Sequence, residues 1–460
     1  MTETVKIISP IDGRVYAERK IAGAAEIETA VAKAKAARRA WSEVTVRERA
    51  KFLNHFVDAL LSKNDEIVPE LAWQMGRPIR FGGEKKGVEE RSRHMIDIAE
   101  AALAPSMRPD KPGFKRWIAR EPLGTVMVIA PWNYPFLTAV NSIVPGLMAG
   151  NAVILKHASQ TLLVGERFAE AMKAAGLPDG LFQNLVLNHA DTEKLIASGQ
   201  IDHINFTGSV EGGRRIERAA AGTFATLGLE LGGKDPAYVR PDAALDNAVE
   251  NLVDGSFFNS GQSCCGVERI YVHAAVYDKF VEGFVENAKG WTLGNPLDAA
   301  TVVGPMANAK GADLVREQTL EALRKGARSH LNSRHDLDKD GSPYLAPEVL
   351  TNVNHQMAVM REESFGPVVG IMKVADDEEA ITLMNDSPYG LTASIWTADL
   401  DAAARIGARV ETGTVFANRC DYLDPALVWT GVKDTGKGGG LSEIGYHNLT
   451  QPKSYHLKEV

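Results

Sequence analysis

Apolar and polar positions follow two periods along this chain. Between positions 26 and 41, Ile27, Ala30, Val31, Ala34 and Ala37 mark one apolar helical face. Phe52, Phe56 and Leu60, spaced four apart, predict a second helix. Ile11-Asp12-Gly13-Arg14 reads as a tight turn between two short strands. The mixed-sign run from 84 to 91 predicts a solvated helix face with no function. Pro105, Pro109, Pro112 and Gly113 break the pattern ahead of a hairpin near 116–120. Beyond them, strand-like runs at 125–130, 152–156, 203–207, 236–239, 269–272, 368–372, 394–397 and 414–418 alternate with helical patterns such as 162–175 and 399–410. That alternation predicts an α/β fold of parallel sheets flanked by helices. No internal repeat and no low-complexity tract interrupts it.

Composition narrows the picture. A chain of 460 residues exceeds one ordinary core, so two or three domains are expected. With 45% hydrophobic and 24% charged residues it reads as a globular protein. A net charge of -8 without a basic block argues against a nucleic-acid partner. No apolar run reaches membrane-spanning length, and Met1-Thr2-Glu3-Thr4-Val5-Lys6 lacks the apolar core of a signal peptide. Three cysteines, two of them adjacent, make no disulfide framework. A cytoplasmic protein without a membrane partner or a metal site is expected.

The candidate chemistry centres on Gly261-Gln262-Ser263-Cys264-Cys265-Gly266, between a helical segment carrying Leu245, Val249 and Leu252 and a strand-like run. Flanking glycines let a ligand approach a thiol closely, although an isolated cysteine pair is more often two small buried hydrophobes. Five other stretches carry polar groups at telling places. Asn133, in Pro131-Trp132-Asn133-Tyr134-Pro135, follows an apolar strand, where an amide can donate to an oxyanion; the plainer reading is an Asn-x-Pro turn. Lys156 ends a buried strand, so its ammonium meets a ribose or phosphate or snorkels to solvent. Gly208-Ser209, ahead of Gly212-Gly213, sets free N–H groups at a helix start, which suits a pyrophosphate. Glu230, in Leu229-Glu230-Leu231-Gly232-Gly233-Lys234, is desolvated toward the range of a general base, or faces a solvent channel. Glu363 and Phe365, on the turn Glu363-Ser364-Phe365-Gly366-Pro367, offer a carboxylate and a ring side by side, or a plain surface turn.

Together and in this order, these stretches resemble the aldehyde dehydrogenase superfamily across essentially the whole chain. The Leu-Glu-Leu-Gly-Gly-Lys run and the later Gly-Gln-x-Cys are the most specific marks. The resemblance implies a Rossmann-like cofactor domain (1–113 and 122–229), an α/β catalytic domain (230–436) and a small β oligomerisation element (114–121 and 437–460). It implies oxidation of an aldehyde to the carboxylic acid with reduction of NAD(P), in a homodimer or homotetramer. It makes Cys264, the second residue after Gln262, the nucleophile rather than Cys265. Asn133 and the N–H of Cys264 become the oxyanion donors, Glu230 the general base, and Glu443 a proton-relay carboxylate. Trp132, Lys156, Ser159, Gly208, Ser209, Glu363 and Phe365 match cofactor-binding positions. Tyr134, Ser263, Asp421, Leu423 and Trp429 fall where the family lines its substrate funnel.

Three departures from the family pattern stand out. His157-Ala158-Ser159 replaces Pro-x-Glu after the lysine. A carboxylate there would repel a 2′-phosphate, so NADP is expected to be accepted at least as well as NAD, with His157 adding a charge if protonated. Lys437-Gly438-Gly439-Gly440 stands in place of Gly-Arg-Glu, and the segment 418–425 is unusually polar. The aldehyde itself stays open. Two alternatives share the thiol: a CoA-acylating dehydrogenase, which needs no base such as Glu230, and a cofactor-free thiol hydrolase or esterase, which needs a histidine on the thiol.

Overall fold

Two largely parallel sheets carry the chain, and the segment that passes from one to the other holds Glu230. A computed structural model describes residues 3–331 and 337–460, so Met1 and Thr2 of the N-terminal stretch read above lie outside it. The first sheet has six strands in the order Gly436–Lys437, Thr226–Glu230, His203–Thr207, Thr125–Ala130, Ala152–His157 and Phe182–Asn184. All its pairings are parallel except the short edge strand Gly436–Lys437. Every residue of Thr125–Ala130 and Ala152–His157 is buried, as continuous apolar runs under helices require. From Thr125–Ala130 the chain winds outward through Ala152–His157 to Phe182–Asn184. It then returns to the other side at His203–Thr207. That reversal opens a crevice at the carboxyl ends of Thr125–Ala130 and His203–Thr207, where open α/β sheets hold their ligands.

The second sheet has seven strands, in the order Arg328–Ser329, Glu348–Thr351, Val368–Val374, Val267–His273, Asp235–Val239, Thr392–Trp396 and Thr414–Ala417. Only the pair at the Arg328–Ser329 edge is antiparallel. Strand Thr226–Glu230 belongs to the first sheet and Asp235–Val239 to the second, so Leu231-Gly232-Gly233-Lys234 bridges them. Apolar clusters cover both faces of each sheet; Trp41, Phe56 and Phe168 from the flanking helices pack in the first. A separate three-stranded antiparallel sheet joins Ser106–Met107, Phe114–Pro122 and Thr450–Lys458. Its long register runs from Thr450 opposite Pro122 to Lys458 opposite Phe114, with Trp117 stacked on Tyr455 at 4.5 Å.

The strands expected at 125–130 and 203–207 appear with those bounds, and the others differ by a few residues. Thr226–Glu230, Phe182–Asn184 and Glu348–Thr351 are strands that their short runs did not announce. The expectation for 84–91 is corrected. The helix is present as Lys85–Ala102, but Arg91 on it is buried and Glu84 forms a buried ion pair with Arg77 at 2.5 Å. Among the described residues, no helix is long and apolar enough to cross a membrane.

Candidate active site

The cysteine loop is held in a conformation that side chains seldom adopt unaided. Helix Leu245–Phe257 ends in a turn where Asn259, Ser260 and Gly261 all have positive φ, at 54°, 58° and 69°. At Gly261 a Cβ would fall 2.3 Å from the carbonyl carbon of Gly366, so only glycine fits. Side chains clamp the rest. Asn259 donates to the carbonyls of Asn133 (3.1 Å) and Gln262 (3.3 Å), and Gln262 accepts from the N–H of Ala307 at 2.9 Å. Arg77 donates to the Asn259 side chain (3.2 Å) and the Asn133 carbonyl (2.5 Å) while paired with Glu84. Asn133 and Cys264 therefore share one rigid frame.

Two cavities meet at Cys264, and a third lies beyond one of them. One of about 390 Å³ lies in the crevice of the first sheet, lined by Trp132, Lys156, Gly208, Ser209 and Arg215 among others. A second, of about 240 Å³, continues it past Asn133, Glu230, Glu363 and Phe365 to the thiol. A third, of about 310 Å³, approaches from the opposite side and is lined by Tyr134, Ser263, Asp421, Leu423 and Trp429. Cys264, Glu230, Thr207 and Leu231 line both of the cavities that flank the thiol.

The two adjacent thiols differ sharply. Cys264 is partly accessible. Cys265 is buried, and its thiol donates to Asp421 at 2.9 Å. Its neighbour Cys264, burial and the Asp421 charge together push the Cys265 thiol far above the usual range, so it stays protonated. Ser263 donates to the same carboxylate at 2.8 Å. Burial raises Glu230 to about 7, against a hydrogen bond from Thr207 at 3.2 Å. The side-chain amide of the buried Asn133 and the N–H of Cys264 make no hydrogen bond among the described residues, leaving two donors unengaged at the thiol.

The cofactor positions assemble with two exceptions. Ser209 caps helix Val210–Ala220, so the first-turn N–H groups open into the large cavity. Lys156 is buried there with no ion pair among the described residues. Glu363 accepts from the N–H of Gly233 at 3.1 Å and lies so close to Gly232 that a Cβ would come within 2.4 Å of it. Phe365, at φ 51°, meets Trp132 edge to face at 5.5 Å. Glu268 holds this turn by accepting the N–H groups of Ser364 (2.8 Å) and Phe365 (2.9 Å) while paired with the buried Lys234.

The first exception is Ser159. It is exposed at the start of a 3-10 turn, and Ala158 rather than Ser159 lines the cavity. The second is His157, whose buried ring contacts the Pro135 carbonyl and the Thr161 hydroxyl, each at 3.2 Å. Burial lowers it to about 4, so it is a neutral packing residue and adds no charge. Glu443 also falls outside the site. It is exposed on the first turn of helix Ser442–Asn448 and lines none of these cavities. In that region Gly440 approaches Glu230: a Cβ there would sit 3.2 Å from the Glu230 carboxylate. Trp429 fixes Gly440 by two backbone hydrogen bonds of 2.8 and 2.9 Å. Sequence reasoning missed Thr207, Arg91 and Arg215; for Arg91 the signal was its alignment with the apolar face carrying Val88, Ser92 and Met95.

An accessible thiol, unengaged donors and a carboxylate titrating near neutrality, set beside a crevice built for a dinucleotide, define a thiol-dependent oxidoreductase of the α/β class. The aldehyde dehydrogenase family model matches residues 1–455, and the chain belongs to that family. It is 36% identical to an aldehyde dehydrogenase of Paenarthrobacter nicotinovorans over 93% of this chain and 94% of that one. It is 33% identical to a succinate-semialdehyde dehydrogenase [NADP(+)] of Mycobacterium avium (strain 104), over 98% and 96%. The solved structure of PnpE in complex with nicotinamide adenine dinucleotide superposes with a TM-score of 0.94 at 29% identity, covering 99% of this chain and 94% of that one. The protein is an NAD(P)-dependent aldehyde dehydrogenase.

Proposed function

We propose that this enzyme oxidises a small aldehyde to the acid through a thioester on Cys264, with Asn133 and Glu230 as its other catalytic groups. The observation that carries this reading is the meeting of the cavities at Cys264, with Glu230 on the wall of both that flank it. The Cys264 thiolate adds to the aldehyde carbon, and the carbonyl electron pair moves onto oxygen. That oxygen takes hydrogen bonds from the Asn133 amide and the Cys264 N–H, which have no partner among the described residues. The nicotinamide of a cofactor held in the crevice would supply the hydride acceptor for this carbon. Cys264 then carries a thioester. Glu230 takes a proton from water, the water oxygen attacks the thioester carbon, and Cys264 departs as thiolate with release of the acid.

The residues present fit the cofactor. The amino end of helix Val210–Ala220 would hold its phosphates, Lys156 the adenosine ribose, Glu363 the nicotinamide ribose, and Trp132 with Phe365 the ring. Among the described residues no histidine lines the two cavities that flank Cys264, which speaks against a cofactor-free hydrolase. The base Glu230 likewise favours hydrolysis over transfer to CoA. A panel of aldehydes should give reduced nicotinamide in equal amount to acid. Acid formed without cofactor would refute the dehydrogenase assignment. Asn133→Ala should lower kcat by ~10²–10³, the usual cost of one oxyanion donor, and a loss below about threefold would remove it from that role.

Cofactor choice follows from what lines the crevice. No carboxylate stands at position 159, and Lys156 and Arg215 present cations, the latter paired with Glu193 at 2.5 Å. NADP is accepted at least as well as NAD. Ala158→Glu, which sets a carboxylate on the cavity wall, should raise KM for NADP about tenfold, which ~1.4 kcal/mol of repulsion supplies, while NAD kinetics change less. A wild type that uses NAD hundreds of times better would contradict this.

The subunits assemble as a dimer or tetramer through the exposed sheet formed by Phe114–Pro122 and Thr450–Lys458. Those strands pack few apolar residues against the rest of the chain, yet hold a long regular register. Deleting residues 451–460 should shift the light-scattering mass toward monomer, and an unchanged mass would place the interface elsewhere. The three unpaired thiols suit a reducing, cytoplasmic compartment. The boundaries 1–113 with 122–229, 230–436, and 114–121 with 437–460 are the proposed domains, the first division falling where the chain leaves the first sheet.

A further inference from the structure

Among the described residues, Arg91 is the one buried cation that lines the cavity on the aldehyde side of Cys264. Helix Lys85–Ala102 presents Lys86, Gly87, Glu90 and Arg91, one i, i+4 face, to the cavity of about 310 Å³. Gly87 lets this helix press on Pro135–Met148, since a Cβ there would lie 2.6 Å from Leu137. The contact carries Arg91 inward until 9% of it is exposed. Its guanidinium makes a single long hydrogen bond, to the Leu137 carbonyl at 3.4 Å, and no ion pair among the described residues. A buried guanidinium without a carboxylate is costly, and such a charge is normally matched.

The nearby carboxylates have other partners. Glu84 is held by Arg77 and by the N–H groups of Phe136 and Leu137. Glu90 accepts from the Tyr422 hydroxyl at 2.6 Å, and Asp421 accepts from Ser263 and Cys265. Glu230 takes Thr207. In the same cavity the Asn141 side-chain oxygen is buried without a partner. The Tyr134 hydroxyl on the same wall is likewise buried without a partner, so the wall joins the Arg91 cation and these two polar atoms to apolar surface at Leu137, Leu423 and Trp429.

We propose that Arg91 is a specificity-determining residue that binds the distal carboxylate of an ω-carboxy aldehyde whose carbonyl carbon lies at Cys264. The proposal rests on the dehydrogenase reading above. A planar guanidinium offers a carboxylate two parallel donors, and burial keeps that contact from being screened. The apolar wall takes the methylene chain between the two ends. An uncharged aldehyde of equal length leaves Arg91 unmatched and binds less well.

The test compares kcat/KM for succinic, glutaric and adipic semialdehydes with butanal, pentanal and hexanal, in wild type, Arg91→Gln and Arg91→Lys. At its best chain length the wild type should favour the acid aldehyde over its uncharged counterpart by about tenfold or more. Arg91→Gln should lower that ratio about 30-fold, the effect of losing a hydrogen bond to a charged group, and Arg91→Lys should retain part of it. An unchanged ratio in Arg91→Gln, or a wild type without preference for the acid, overturns the proposal. Should Arg91→Gln fail to fold, the wild type still decides. Glutarate should shield Cys264 from iodoacetamide at concentrations about tenfold lower than butyrate, and equal shielding overturns the proposal. Failure of every aldehyde to reduce the cofactor would instead strike the dehydrogenase reading.

Discussion

Cys264→Ala should abolish aldehyde oxidation, by ~10⁴-fold or more, whereas Cys265→Ala should stay within about threefold of wild type. The two residues are adjacent, so the contrast tests geometry rather than the presence of a thiol. Cys264 opens into both flanking cavities, with two unengaged donors beside it. Cys265 is buried, donates to Asp421 and is held protonated. Iodoacetamide should label one fast-reacting thiol in wild type and in Cys265→Ala, and none in Cys264→Ala. Near-normal turnover of Cys264→Ala would move the nucleophile.

Glu230→Gln should separate the two halves of the reaction. A base that activates water acts after the hydride has left, so rapid mixing should show a burst of reduced nicotinamide followed by a steady rate lower by ~10²–10⁴. The pH dependence has a definite sign. Below about 7 the Glu230 carboxyl is protonated and cannot take a proton from water; above it the carboxylate can. Deacylation in wild type should therefore rise with pH through about 7, and Glu230→Gln should lose that limb. Equal loss of burst and steady rate would assign Glu230 to an earlier step.

Much of this site was legible because its residues sit where local sequence makes the backbone plain. Thr125–Ala130 is a nearly unbroken apolar run and His203–Thr207 alternates polar and apolar residues, both strand patterns, so Asn133, Gly208 and Ser209 could be placed at their carboxyl ends. Gly261 and Gly266 announced a close approach to Cys264, and the positive φ of Gly261 and the 2.3 Å from its Cβ position to Gly366 explain the first. What was not legible depends on packing between distant segments. Arg91 sits in a run whose charges look solvated, and it is buried only because Gly87 lets two helices touch. Ser159 and Ala158 exchange places at the cavity because a 3-10 turn begins there, which composition does not reveal. His157 is neutral because it is enclosed. Glu443 lies next to a glycine run that does reach Glu230, but the short helix Ser442–Asn448 turns its side chain outward and leaves Gly440 at the carboxylate.

The central claim is a covalent acyl group on Cys264 that waits for Glu230. Mixing Glu230→Gln with cofactor and an aldehyde, quenching in acid after the burst, and weighing the digested peptides tests it most directly. The peptide containing Cys264-Cys265 should gain the mass of the acyl group in near-equal amount to the burst of reduced nicotinamide, and fragmentation should put it on Cys264. A burst of reduced cofactor with an unmodified Cys264, or an acyl group on Cys265, would contradict it.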